Sequence, residues 1–365
     1  MDPDLPLLFT ADQTRARGLS RHRVAHRVAL GRWTSLRRGL YCVAAAYDAL
    51  DPPTQHLVQV AAALRSRGHD VLASHLSAAC AYVWPMPAPG WGPPTLTSAD
   101  LDIPVRRSQR LVLQVASVRP VDRGIRSDLP VTSPARTVAD VLRHQPAQDS
   151  VPIADAALRS GATTSEQVWR VLEWQQAWPY VVRARASLEL VDQRRETWIE
   201  SWSFVRLHQH GVPLPEPQVE VLDARGRFVA RGDALWDGAT LGEADGRVKY
   251  LLRGPHLAGA MPDVAAERVV EEAQRRLDAE KARRDALHDV GLEVVRWGYA
   301  ELARDPDAVV RRVQARRAAA DPARFTGRLR RRPPDWTAPA PPPRWPVLMG
   351  DATTAPEQAT SWRSS

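Results

Sequence analysis

The sequence predicts a multidomain protein of mixed α+β and α/β character, and three observations carry that reading. Helical and strand periodicities alternate along most of the 365 residues, a length sufficient for two or three cores. Apolar residues recur at i, i+3 and i+4 in some stretches and at every second position in others. The last stretch, rich in Pro and Arg, follows neither period. The expected divisions are 1–48, a small helical module with a basic hairpin; 49–190, an α+β connector; 191–303, a mixed sheet flanked by helices; and 304–365, a disordered tail.

The first module has the order of a winged helix-turn-helix. Residues 1–45 carry eight arginines and three acids. Thr10 caps a first helix running to Arg17, Gly18-Leu19 turns, and Ser20 caps a second helix from Arg21 to Leu30. Arg32 to Tyr41 then alternates as a short hairpin with Gly39 at its bend. On the second helix Val24, Val28 and Leu30 can face a core. That leaves Arg21, His22, Arg23, His26 and Arg27, with Arg37 and Arg38 of the wing, as candidate contacts to double-stranded DNA. A net charge of +8 with clustered basic residues agrees with a polyanionic partner.

The connector reads as helices around Leu57–Leu64 and Ser74–Cys80, strands between Thr95 and Val121, and a helix with Ser133 as its cap and Pro134 in its first turn. Further helices are expected at Ala154–Leu158, at Ser165–Leu172 and on to about Leu190. His75, between small residues, reads as structural. Cys42 and Cys80 sit in apolar surroundings and cannot build a disulfide framework, so a reducing cytoplasm is expected. Neither a signal peptide nor a stretch long enough to span a bilayer is expected, and no membrane partner.

The C-terminal module should open with an amphipathic helix, Glu196 to Leu207. Strands follow at Gln218–Leu222, Arg227–Trp236 and Thr240–Tyr250, then a long helix, about Asp263 to Asp289, and a strand from Leu292 to Trp297. Asp237-Gly238-Ala239 is a three-residue hairpin turn that pairs Trp236 with Thr240. It therefore sets Asp233 opposite Glu243, with Asp245 on the same face. Three converging carboxylates repel one another unless a cation joins them. Oxygen ligands suit Mg2+ or Mn2+, held by Asp233, Glu243 and Asp245, and such a metal supports phosphodiester chemistry. The chain contains only two lysines, Lys249 and Lys281, both in this half. A lysine kept where arginine is otherwise used suggests a need for a compact point charge. Lys249 has the parity to reach the carboxylate face.

These residues carry two resemblances. Glu200-Ser201 on a helix, the Asp233 strand, the Glu243-Ala244-Asp245-Gly246 strand and the closing Gly291 to Trp297 segment resemble the PD-(D/E)XK nuclease fold, in its branch similar to very-short-patch-repair endonucleases. The resemblance covers about Arg194 to Ala303. It implies that Asp233 and Glu243 are metal ligands, with Glu200 as a supporting acid; Asp245 and Lys249, which strand parity puts on the same face, complete the candidate catalytic set. The chain departs from the motif at Asp245, where a lysine is usual; Lys249, or Lys281 or Arg284 of the next helix, would substitute. The N-terminal half, about Leu8 to Val168, is similar to AbiEi-type antitoxins of type IV toxin–antitoxin systems through Ser74-His75-Leu76-Ser77-Ala78-Ala79 and Ser133 to Thr137. That similarity implies DNA binding, transcriptional regulation and a cognate toxin as partner. The reading that follows is a DNA-binding regulator with a nuclease-like domain; the alternative is an active Mg2+- or Mn2+-dependent endonuclease aimed by its winged helix.

Overall fold

The computed structural model describes residues 5–67, 70–85, 90–245, 274–275 and 281–338. It is a mixed α and β protein with three sheets among the described residues. Two compact units divide it. One runs to His144 and takes in Glu166–Gln176; the other takes Gln145–Ser165 and the described residues from Ala177 onward.

In the first unit, β1 (Phe9–Thr10), β2 (Trp33–Arg37) and β3 (Leu40–Val43) form an antiparallel sheet in the order β1-β3-β2. Thr10 starts the helix Ala11–Ala16 with a capping box: its hydroxyl accepts from the Gln13 N–H, and the Gln13 side chain accepts from the Thr10 N–H. Ser20 caps the helix Arg21–Ala29 through the Arg23 N–H at 3.3 Å. Both helix starts stand where the cap residues predict. Phe9, Leu19, Val24 and Trp33 are buried together, with Val28 and Tyr41 against them. Leu30, expected to face this core, is 55% exposed, because the helix has already ended at Ala29.

The same unit holds a six-stranded sheet built from β4 (Val71–Ala73), β5 (Thr95–Ser98), β6 (Arg106–Ser108), β7 (Leu111–Val115), β8 (Arg123–Arg126) and β9 (Leu129–Thr132), in the order β6-β7-β5-β4-β9-β8. The strand Val71–Ala73 divides what the sequence reads as two successive helices, Pro52–Arg65 and His75–Ala81. The helix Pro134–His144 starts where Pro134 predicts and carries a buried charge network. Arg136, 1% exposed, donates from Nε to Asp140 at 2.7 Å and from Nη1 to Asp122 at 3.4 Å. Gln175 and Arg143 complete the partners of Asp140. His75 belongs to this interior: its ring faces Ser74 Oγ and His144 Nδ1, and burial holds its pKa down to about 3. Cys42 and Cys80 are buried thiols.

The second unit is built on one five-stranded sheet. Its strands are β10 (Glu216–Leu222), β11 (Phe228–Trp236), β12 (Thr240–Asp245), β13 (Glu293–Gly298) and β14 (Arg328–Arg330), in the order β13-β12-β11-β10-β14. Only the β12–β13 pair is parallel. Helix Trp198–Gln209 buries Trp202, Phe204 and Leu207 with Ala234, Trp236, Val295 and Trp297. A second core joins Val219, Val221, Ala230, Leu235 and Leu241 to Leu287 and Val290. Residues 281–289 are helical, as expected of that stretch; most of the long helix predicted before them lies outside the described residues.

The tail expected from 304 onward is a point of correction. Helix Pro306–Ala319 follows an Asp305 cap and buries Val309, Val310 and Val313 in the core of Trp202 and Trp297. β14 then pairs with β10. Three valines on a helix otherwise rich in arginine are a narrow stripe, too weak to stand out against the surrounding charge. Residues 339–365 lie outside the described residues. Val313→Ala removes two methyl groups from a fully buried site. It should lower unfolding stability by about 2 kcal/mol in urea titrations; an unchanged midpoint would show that this helix does not contribute to the core.

Candidate functional site

Helix Trp198–Gln209 is started by Thr197-x-x-Glu200, a capping pair that fixes the position of Glu200 in the first turn. The Glu200 carboxylate is 3% exposed and accepts three bonds: from the Glu196 N–H at 2.9 Å, the Thr197 hydroxyl at 2.7 Å and Gln218 Nε2 at 2.8 Å. Burial still pushes its pKa up, because desolvation outweighs those donors.

Gln218, in β10, joins this carboxylate to a second one. Its Nε2 also lies 3.5 Å from Asp233 Oδ1. Its backbone has φ +56, a left-handed conformation that a side chain other than glycine rarely adopts. Around this point the inside–outside alternation of the sheet reverses. Ala230 lies in the core with Val219 and Leu287, whereas Ala234, at the same parity, lies in the core with Phe204 and Trp297. Asp233 stands within this reversal, between Gly232 and Ala234.

The hairpin between β11 and β12 pairs Trp236 with Thr240 as the turn predicts, and Asp237 and Gly238 both take positive φ. The ladder runs to Ala234↔Gly242. At the next step Asp233 uses its side chain: Oδ2 accepts the Ala244 N–H at 2.9 Å. The Asp233 pKa is pushed up to about 7 by burial, then by the charge of Glu200 and of Glu243, against the Ala244 bond and the Arg283 charge.

Glu243 is held differently. Its carboxylate meets Arg283 Nη2 at 2.5 Å and Arg296 Nε at 2.5 Å. Arg296 is its register partner on the parallel strand β13, and Arg283 comes from the helical residues 281–289. Asp245 is exposed at the end of β12. Lys281 is exposed on its helix, and Lys249 lies outside the described residues. The structure therefore gathers Glu200, Asp233 and Glu243, and adds Gln218, Arg283 and Arg296. Among the described residues, no group of three or more His, Cys, Asp or Glu side chains is placed to hold a metal ion. A strand-pairing argument could have found Arg296. Nothing in the sequence marks Gln218, whose role rests on a left-handed backbone.

In the other unit, Arg21, His22, Arg23, His26 and Arg38 are exposed. Two candidate DNA contacts are engaged within the protein. The Arg27 guanidinium lies 5.2 Å from the Trp33 ring centre, and Arg37 donates to the Arg110 carbonyl at 2.5 Å. No helix of the described residues is long and apolar enough to cross a membrane.

No family model matches the chain. It is similar to two uncharacterized proteins of Mycobacterium tuberculosis, one from strain CDC 1551 and one from strain H37Rv. Each is 31% identical over 105 residues, or 29% of this chain. The match spans 38% of the length of these curated relatives.

The raised pKa of Asp233 has a testable sign. Between an ordinary aspartate pKa near 4 and about 7, the folded protein holds a proton that the unfolded chain has released. Metal-free protein should therefore lose stability as pH rises through that window and level off above it. In chelator, the fall in Tm from pH 5 to pH 8 should shrink in Asp233→Asn. Equal falls in both proteins would place the proton elsewhere.

Proposed function

We propose that the chain is a DNA-binding regulator of the antitoxin-like, winged-helix kind, and that its second unit is a nuclease-like domain of PD-(D/E)XK type. The observation that carries DNA binding is the division of helix Arg21–Ala29 into two faces. Val24 and Val28 are spent on the core with Phe9 and Trp33, while Arg21, His22, Arg23 and His26 are exposed. Arg38 extends the same positive character to the β2–β3 turn. Phosphate contacts release counterions, so affinity should fall with salt at a slope set by the number of contacts. Arg21→Ala combined with Arg23→Ala should reduce that slope by about 2. Arg37→Ala should leave it unchanged, because Arg37 is bonded to Arg110. A double variant with the wild-type slope would remove this helix from the interface.

A second reading, metal-dependent DNA cleavage, is favoured by one specific observation. Glu200, from a helix, and Glu243, from the neighbouring strand, both raise the cost of ionising Asp233, and Glu243 is itself paired with the guanidinium groups of Arg283 and Arg296. The donors are all oxygen, which suits Mg2+ or Mn2+, and the Arg283 charge already stands in as a cation beside them. Asp233 and Glu243 would hold the ion. Bound there, it would supply Lewis acidity and a water of lowered pKa. Arg283 and Arg296 place fixed positive charge beside the same carboxylates, as the motif lysine would. In Mn2+, supercoiled plasmid should be nicked by the wild type and not by Asp233→Ala, with DNA affinity kept. Cleavage unaffected by that substitution would rule the site out.

A further inference from the structure

Two short hairpins of the first unit end in two-residue turns, and each turn carries an arginine. The pairing of Arg37 with Leu40 leaves Arg38-Gly39 as the turn between β2 and β3. The pairing of Ser108 with Leu111 leaves Gln109-Arg110 as the turn between β6 and β7. The two turns meet through Arg37, which donates from Nη1 to the Leu36 carbonyl at 2.9 Å and from Nη2 to the Arg110 carbonyl at 2.5 Å. Helix Pro52–Arg65 packs on β2, its Arg65 donates to the Leu8 carbonyl at 3.3 Å, and Arg67 follows its end. Burial lowers the Arg37 pKa, and the like charges of Arg110 and Arg67 lower it further. Arg38, Arg67 and Arg110 are exposed, and among the described residues none of them has a carboxylate partner. On other surfaces of the protein Arg227, Arg316 and Arg330 each meet an acid. Like charges gathered without a counter-charge oppose one another until an anion joins them, and the guanidinium fork matches phosphate oxygens.

We infer that the β6–β7 turn and the end of helix Pro52–Arg65 form a second phosphate-contacting surface, in which Arg110 and Arg67 join Arg38 on the backbone of double-stranded DNA. The inference rests on the DNA-binding reading of helix Arg21–Ala29 and extends it from the helical module into the connector. Duplex DNA is the occupant that fits, because Arg38 belongs to the basic hairpin of that reading and the bond from Arg37 sets Arg110 directly beside it. Arg37 itself is engaged by two carbonyls and makes no phosphate contact. Contacts of this kind reach phosphates rather than base edges, so they add affinity and fix orientation without sequence preference.

The test is the affinity of the full chain for a mixed-sequence DNA duplex, read by fluorescence anisotropy over a series of salt concentrations. Arg67→Ala combined with Arg110→Ala should reduce the salt slope by about 2, and adding Arg21→Ala and Arg23→Ala should bring the reduction to about 4. Arg225→Ala combined with Arg311→Ala removes the same charge from exposed positions of the second unit and should leave the slope as in wild type. An equal fall in that control would trace the effect to net charge and overturn the inference. Arg67→Lys combined with Arg110→Lys keeps both charges and should keep the slope; a fall there as well would trace the loss to folding and overturn it too. An unchanged slope in the Arg67 and Arg110 alanine variant, with Arg21→Ala and Arg23→Ala still lowering it, overturns the inference and leaves the helix reading intact. A wild type that binds no duplex overturns both. Poly-glutamate bound through the same two arginines more tightly than the duplex would reassign the surface to an acidic protein and overturn the inference.

Discussion

A carboxylate taken out of water must be neutralised by a proton, by a partner or by a cation, and the second unit is arranged around that constraint. Asp233 lies half-buried in β11, within reach of the charge of Glu200 and Glu243. Each acid meets the constraint by a different means. Glu200 takes three hydrogen bonds, Glu243 takes two guanidinium groups, and Asp233 takes one backbone N–H and a raised pKa. The surrounding geometry follows from these needs. Gln218 leaves the ordinary strand conformation to bridge Glu200 and Asp233, and the sheet exchanges its faces there.

That exchange explains why the hairpin could be read from sequence and the full site could not. Asp237-Gly238 is a local signal, and the pairing of Trp236 with Thr240 follows from it. Thr197-x-x-Glu200 is equally local. Alternation then predicts a flat face shared by Asp233, Glu243 and Asp245. Alternation fails where one residue adopts left-handed φ, and no composition rule singles out Gln218 for it. Asp245 remains exposed at the strand end, and the positive charge comes from Arg283 and Arg296, two arginines in a chain where arginine is too common to be informative. The helix Pro306–Ala319 escaped detection for a related reason: its apolar stripe is three valines among charges.

Arginine is both a surface charge and a structural element in this protein. On β14 and just after it, Arg330, Arg331 and Arg332 meet Glu220, Glu216 and Glu196. On the preceding helix Arg312 meets Glu301 and Arg316 meets Glu293. Each exposed pair contributes little alone. In series they fix the register of a strand of three residues that has few backbone bonds of its own. In the first unit Arg136 does the opposite work, buried and satisfied by Asp140, Asp122 and the Ser117 carbonyl. Removing either partner there would leave an uncompensated charge in the interior.

The same bookkeeping separates the two faces of the proposed function. At helix Arg21–Ala29 the exposed cations are Arg21 and Arg23, with His22 and His26 exposed beside them, while the nearby Arg27 and Arg37 are tied into the fold. Positive charge at that surface is therefore available to a polyanion without breaking internal contacts. At the carboxylate site the reverse holds: the guanidinium groups of Arg283 and Arg296 are committed to Glu243. A divalent ion entering there would compete with Arg283 for Glu243 and with the proton for Asp233. By linkage, the ion would disfavour each competitor to the same degree that the competitor disfavours the ion. Metal occupancy, the position of Arg283 and the protonation of Asp233 are in that reading one coupled equilibrium, whereas the proposed DNA binding would rest on charges of helix Arg21–Ala29 that stand outside it.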